Sequence, residues 1–159
     1  MKSKLNHTYI LCGCVLMLAL LCILSIGSPI RFDNQRSKRE KAVKVRLMSI
    51  RSAEEKYRTL HGVYATTFRD LVESGLLSDS AAYIPYSGGM CFTLTATTLP
   101  GKGGGKIPVM ECGATYSQYL QGLDKTSIAD LTEEANVNRR FPGLKIGDIN
   151  VPNDNAGNW

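Results

Sequence analysis

Apolar residues Val43, Leu47, Ile50, Tyr57 and Leu60 recur at spacings of three, four and seven. That period predicts an α-helix carrying them on one face, with the small Ala53 beside them. Lys44, Arg46, Arg51, Glu55 and Arg58 fall on the other side. A helix built this way buries its stripe against the downstream domain or against a neighbouring subunit. Gly62 is placed to end it in the left-handed conformation, with His61 in the last turn as a cation favoured by the helix dipole.

Upstream the pattern is different. Residues 9–30 carry no charge: YILCGCVLMLALLCILSIGSPI. Twenty-two residues at about 1.5 Å each make roughly 33 Å, enough to cross a bilayer core. The chain therefore reads as a tail over 1–8, a transmembrane helix over 9–30, and a basic linker and amphipathic helix over 31–61. A head over 62–159 follows. Pro29 is expected to break the span from a polar linker over 31–37. A cleaved signal peptide is the alternative, although the apolar run is long for one.

Downstream, Thr66 or Thr67 caps a short second helix in which Phe68, Leu71 and Val72 face inward and Gly75 marks the end. Cys91-Phe-Thr-Leu-Thr-Ala-Thr-Thr98 alternates like a half-buried strand. Lys106-Ile-Pro-Val-Met-Glu-Cys112 is its expected hairpin partner, with Pro108 suggesting an edge position. Residues 114–122 read as a short helix or turn. A helix over 127–137 has Ile128, Leu131 and Ala135 on its inner face, and a last strand covers 144–149. The predicted fold is α+β: a long N-terminal helix packed on a small antiparallel sheet.

Charge sharpens this picture. Of the 19 Lys/Arg and 14 Asp/Glu in 159 residues, residues 31–60 hold ten and four, and residues 61–159 hold seven and ten. A basic stalk of +6 thus precedes a head of −3. Nucleic acid is not the expected partner, because no aromatic interleaves the cations between residues 38 and 56 and no DNA-reading motif is present. Anionic lipid headgroups suit the stalk at about 1 kcal/mol per basic residue. A solvated basic face is the plain alternative. The C-terminal flank of the apolar run is the more basic one, which by the positive-inside rule would keep the head in the cytoplasm.

Candidate chemistry is sparse. The one His beside the head is His61, with no Ser or Cys arranged with it, so nucleophilic catalysis has no support and no enzyme activity is expected. No small-molecule substrate is indicated. Zinc lacks a clustered ligand set. The acidic pairs Glu54/Glu55 and Glu133/Glu134 read as surface charge, since adjacent helical residues diverge. Pro100-Gly-Lys-Gly-Gly-Gly-Lys106 fails as a phosphate loop, having Pro100 where Gly and Ile107 where Ser or Thr is needed, and reads as a flexible hairpin tip. Oxygen donors gather at Asp148, Asn150, Asn153, Asp154 and Asn155, a weak calcium candidate beside the plain reading as turn residues. Cys12, Cys14 and Cys22 read as small hydrophobes of the apolar run. Cys91 and Cys112, alone in the head, are expected as a disulfide suited to an oxidising compartment, or else as two buried thiols.

The order of parts is similar to that of type IV pilin-like proteins, and most like the major pseudopilins of type II secretion. Residues 38–77 carry the resemblance: Ile50-Arg-Ser-Ala-Glu-Glu-Lys-Tyr57, His61-Gly-Val-Tyr64 and Phe68-Arg-Asp-Leu-Val-Glu-Ser-Gly-Leu-Leu77. In that family an A-x-x-x-Y…G-x-Y…L run closes the long helix. The resemblance implies a structural subunit of a pseudopilus or related envelope filament. It further implies a single-pass bacterial inner-membrane protein with its head in the periplasm, and partners that are other pilin-like subunits, secretion-machinery proteins and membrane lipid. The chain departs from the family before the apolar run. Leu5-Asn-His-Thr8 replaces the basic-Gly cleavage site, and the run lacks the Glu that neutralises a neighbouring subunit's amine. A membrane-tethered ligand-binding module, using Tyr83, Tyr86, Tyr116, Tyr119 and Trp159, is the competing function.

Overall fold

The computed structural model describes residues 2–101 and 104–159, with side chains for all of these except 2–6 and 23–29. The chain divides into two compact units, Met1–Ser37 and Lys38–Trp159. Helix α1 runs over Lys2–His61. The break expected at Pro29 does not occur, and residues 31–37 are helix, not linker. Proline removes one i→i−4 hydrogen bond, and beyond residue 29 no further Gly or Pro interrupts the helix until Gly62.

In the first unit the apolar side chains of α1 are exposed all round, Tyr9, Ile10, Val15, Leu16 and Leu18 each by more than 60 %. Among the described residues no helix is long and apolar enough to cross a membrane. The side chains of 23–29, within the expected span 9–30, lie outside that description.

The second unit is the α+β head. Helix α2 covers Phe68–Glu73, and Thr67 and Asp70 form a reciprocal capping box at its start. A 3-10 turn over Asp79–Ala82 leads to strand β1, Thr93–Pro100. Strand β2, Lys106–Thr115, the short helix α3, Tyr116–Tyr119, and helix α4, Lys125–Val137, follow. Strand β3, Gly143–Gly147, closes the order β1-β2-β3, all antiparallel. β2 is thus the central strand. Pro108 nevertheless lies in its outer part, because β3 pairs only with Glu111 to Thr115. Residues 102–103 of the expected flexible tip lie outside the description.

The core is built from Val43, Leu47 and Ile50 of α1, each with no exposed surface, together with Leu71, Met110, Cys112, Tyr119, Leu120 and Ile146. Tyr57 is half-buried and stacks on His61, ring centroids 4.2 Å apart. Leu60, expected on the packing stripe, is 68 % exposed instead. Gly62 ends α1 at φ +75°, its N–H donating to the Arg58 carbonyl at 2.8 Å, as the sequence predicts. Gly147 ends β3 at φ +72°, so close to β2 that a Cβ would overlap the Met110 carbonyl oxygen.

The C-terminal tail is not free. Asn158 N–H donates to the Lys145 carbonyl at 3.1 Å, and the Lys145 N–H donates to Asn158 Oδ1 at 3.0 Å. The Gly147 N–H adds a bond to the Ala156 carbonyl at 3.0 Å, so the tail runs alongside β3. These bonds satisfy the outer edge of β3, which backbone chemistry requires of some partner.

Candidate functional site

The structure turns most attention to α1 between residues 39 and 58, where its cations do unexpected work. Arg39 Nη1 donates to the carbonyls of Tyr119 and Gln121 at 3.1 and 2.8 Å, and its guanidinium lies 5.1 Å from the Tyr86 ring centre. Arg46 donates to the Ser80 carbonyl. Arg51 donates to the Asp154 carbonyl at 2.8 Å and pairs with Glu55 at 2.8 Å. Arg58 donates to the Tyr64 hydroxyl at 2.8 Å, and Lys44 sits over the Trp159 ring. Part of this basic face is therefore engaged within the chain, mostly at the head's surface. It clasps loop carbonyls that have no strand partner, a use to which the multi-donor guanidinium is suited.

Glu54 overturns the expectation of surface charge for the first acidic pair. It has no exposed surface, whereas Glu55 beside it is exposed. Its Oε2 accepts the Ala65 N–H at 2.9 Å, and its Oε1 has no hydrogen-bond partner. Burial pushes its carboxyl up to about 7, opposed by the Ala65 N–H and reinforced by Asp70. The sequence did hold a signal: Glu54 lies four residues after Ile50 and seven after Leu47, on the buried row itself. The bond to Ala65 fixes the turn leaving α1, which also carries the buried Tyr64. Glu133 and Glu134 are exposed, as expected.

Cys91 and Cys112 are free thiols, which corrects the expected disulfide and its alternative of two buried thiols. The β1–β2 register sets Cys112 opposite Leu94, three residues beyond Cys91. Three residues of extended chain span about 10 Å, and an odd offset turns the two side chains to opposite faces of the sheet. A disulfide needs its Cα atoms within about 7 Å and converging Cβ vectors. Cys91 is exposed and Cys112 buried, in accord with that parity. Burial pushes the Cys112 thiol up, and Glu54 and Glu111 push it further, so it stays protonated and unreactive.

The oxygen-rich C-terminal residues do not converge as one ligand set. Asp148, Asn153, Asp154 and Asn155 line a cavity of about 120 Å³ with Arg58 and Tyr64, while Asn150 borders a separate groove beside Pro100 and Ile107. Asp148 Oδ1 accepts the Asn150 N–H at 2.8 Å, and its Oδ2 meets Lys145 Nζ at 3.3 Å. The Asn150 N–H and then Lys145 hold the Asp148 carboxyl below its usual range. Asn155 is buried and gives its Nδ2–H to the Tyr64 hydroxyl at 2.8 Å. Asp154 and Asn155 adopt φ of +51° and +55°, the left-handed conformation that Asn and Asp tolerate in turns. Lys145 and Arg58 stand among these oxygens, and the left-handed residues and the Asp148–Asn150 bond are features of turn construction. Among the described residues no group of three His, Cys, Asp or Glu is placed to hold a metal.

The aromatic surface also divides. Tyr83, Tyr86 and Trp159 are 41, 49 and 47 % exposed, but Tyr119 is wholly buried in the core and Tyr116 packs against it at 5.9 Å. A single binding surface through all five is excluded by that placement. Comparison with family models, curated proteins and solved structures found no match to the chain.

Proposed function

We propose that this chain is a non-enzymatic structural subunit of a pilin-like or pseudopilus assembly, in type II-like protein secretion or a related envelope filament. Residues 9–30 would anchor it in a bacterial inner membrane with the head in the periplasm. Its partners would be membrane lipid, other pilin-like subunits and secretion-machinery proteins. The observation that supports the reading is the double use of α1. Its apolar early part is exposed all round, and its later part supplies Val43, Leu47 and Ile50 to the core of a small α+β head. A helix apolar on every side needs an apolar surrounding.

Cross-linking tests the proposal. In the full chain with Cys12, Cys14, Cys22 and Cys91 changed to Ser, a single cysteine at one of the exposed positions Lys38, Lys41, Val45 or Met48 is coupled on intact membranes to lysines of neighbouring copies by a short thiol-to-amine reagent. A ladder of multimers is expected. A monomer band alone, or one discrete foreign adduct, would sink the assembly reading.

A further inference from the structure

The outward side of α1 in the head carries a groove of about 540 Å³, with Lys38, Lys41, Val45 and Arg46 on one wall and Pro85 and Tyr86 on the other. Lys38, Lys41 and Val45 stand at i, i+3 and i+7, and so form one row along the helix. Lys38 and Lys41 are exposed, and Val45 is 65 % exposed. Unlike Arg39, Arg46 and Arg51, neither lysine forms an ion pair or hydrogen bond among the described residues.

Helix α4 carries the matching row. Asp130, Glu133 and Val137 stand at the same i, i+3 and i+7. They lie on the side away from the buried Ala135; both carboxylates are exposed, and Val137 is 76 % exposed. Neither carboxylate forms an ion pair among the described residues. Laid parallel, the two helices set Lys38 against Asp130, Lys41 against Glu133 and Val45 against Val137. At 1.5 Å per residue the steps along both axes are identical, about 4.5 and 6 Å. A cationic row and an anionic row that each end on an exposed valine are complementary in charge and in apolar position.

We infer that α4 of one copy docks in the α1 groove of the next. This rests on the proposed assembly and names the contact between its heads. The two surfaces are different patches of the same chain, so the contact is head-to-tail. Such contacts add copies in one direction and build an open helical filament unless the rotation happens to close a ring. The clasping arginines make the arrangement workable: they hold the groove's far wall to α1 without using Lys38 or Lys41.

The test uses the full chain on intact membranes, with Cys12, Cys14, Cys22 and Cys91 changed to Ser. Carrying both Val45→Cys and Val137→Cys, the chain should form a disulfide-linked ladder under mild oxidation. Either replacement alone should give no adduct, and mixing the two single variants should give dimers. Lys41→Glu and Glu133→Lys should each lower the double-cysteine adduct about tenfold. Both reversals in one chain should restore it, which a loss of folding would not allow. Adducts of Val45→Cys alone as abundant as those of the pair, or insensitivity to both reversals, would overturn the docking. If a bifunctional reagent still yields a ladder while Val45→Cys/Val137→Cys yields none, the docking fails and the assembly reading stands. If neither yields multimers, both fail.

Discussion

Two amphipathic helices of the head, α1 from Lys38 onward and α4, carry the same kind of pattern and meet different fates. α1 buries Val43, Leu47, Ile50, Ala53 and Glu54 almost completely. α4 buries only Ala135, and its Ile128 and Leu131 remain half-exposed. Spacing tells which face of a helix turns inward, and it does so correctly for both helices except at Leu60. Depth is decided by what lies opposite. α1 meets the sheet's inner residues, close enough that Glu54 raises the neighbouring Cys112 thiol, while α4 packs mainly beside the four-residue α3. The charges differ in the same way: Arg39, Arg46 and Arg51 of α1 clasp loop carbonyls, whereas Asp130, Glu133 and Glu134 of α4 are exposed.

The largest effect that can break this contrast is a charge placed on each stripe. Leu47→Asp puts an unpaired carboxylate where no surface is exposed, at a cost of about 4 kcal/mol or more, comparable to the stability of a small domain. The head should lose its cooperative thermal transition in circular dichroism. Leu131→Asp on α4 should cost about 1 kcal/mol and leave the transition in place. Equal losses at the two positions would show that α4 is as deeply committed to the core as α1.

A subtler test acts on Glu54, the one charge inside the α1 stripe. Its folded value of about 7 lies above its ordinary 4.5, so the folded head holds this proton where the unfolded chain has released it. Stability from this group is therefore greatest below pH 4.5. It falls as pH rises toward 7 and stays at its lower level above that, a difference of about 3 kcal/mol. Glu54→Gln keeps an oxygen for the Ala65 N–H and removes the charge. The variant should be more stable than the native head by up to about 3 kcal/mol at pH 8 and little different at pH 4.5. Urea unfolding at the two pH values measures this, and an unchanged pH slope in Glu54→Gln would remove the buried charge from the account.

Much of the architecture is legible in the sequence. The Thr67 cap and Gly75 stop of α2, the β1–β2 hairpin, the α4 inner face and Gly62 at the end of α1 are all local chemistry, and local chemistry is what sequence spacing reports. What escaped depends on register or on long-range partners. The Cys91–Cys112 pair failed because an odd offset between two strands cannot be seen from either strand alone. The use of Arg39, Arg46 and Arg51 escaped because their carbonyl partners lie 34 to 103 residues away. The tail escaped for the same reason: its Asn and Asp residues announced turns, but not that Asn158 would bond Lys145 across β3.

The smallest expected effect falls at the end of α1, where the apolar pattern and the helix geometry part company. Seventeen residues at 100° each carry Leu60 about 100° short of five full turns from Val43, off the buried row and toward its flank. His61, one residue on, returns to the row and stacks on Tyr57. Leu60→Ala should therefore change stability by less than about 0.5 kcal/mol. Ile50→Ala, an apolar deletion ten residues earlier on the row, should cost about 2–5 kcal/mol because it leaves a cavity among fully buried neighbours. Chemical unfolding of both variants measures the ratio. A Leu60→Ala loss near that of Ile50→Ala would mean that Leu60 is covered in solution, extending the buried stripe of α1 to its last turn.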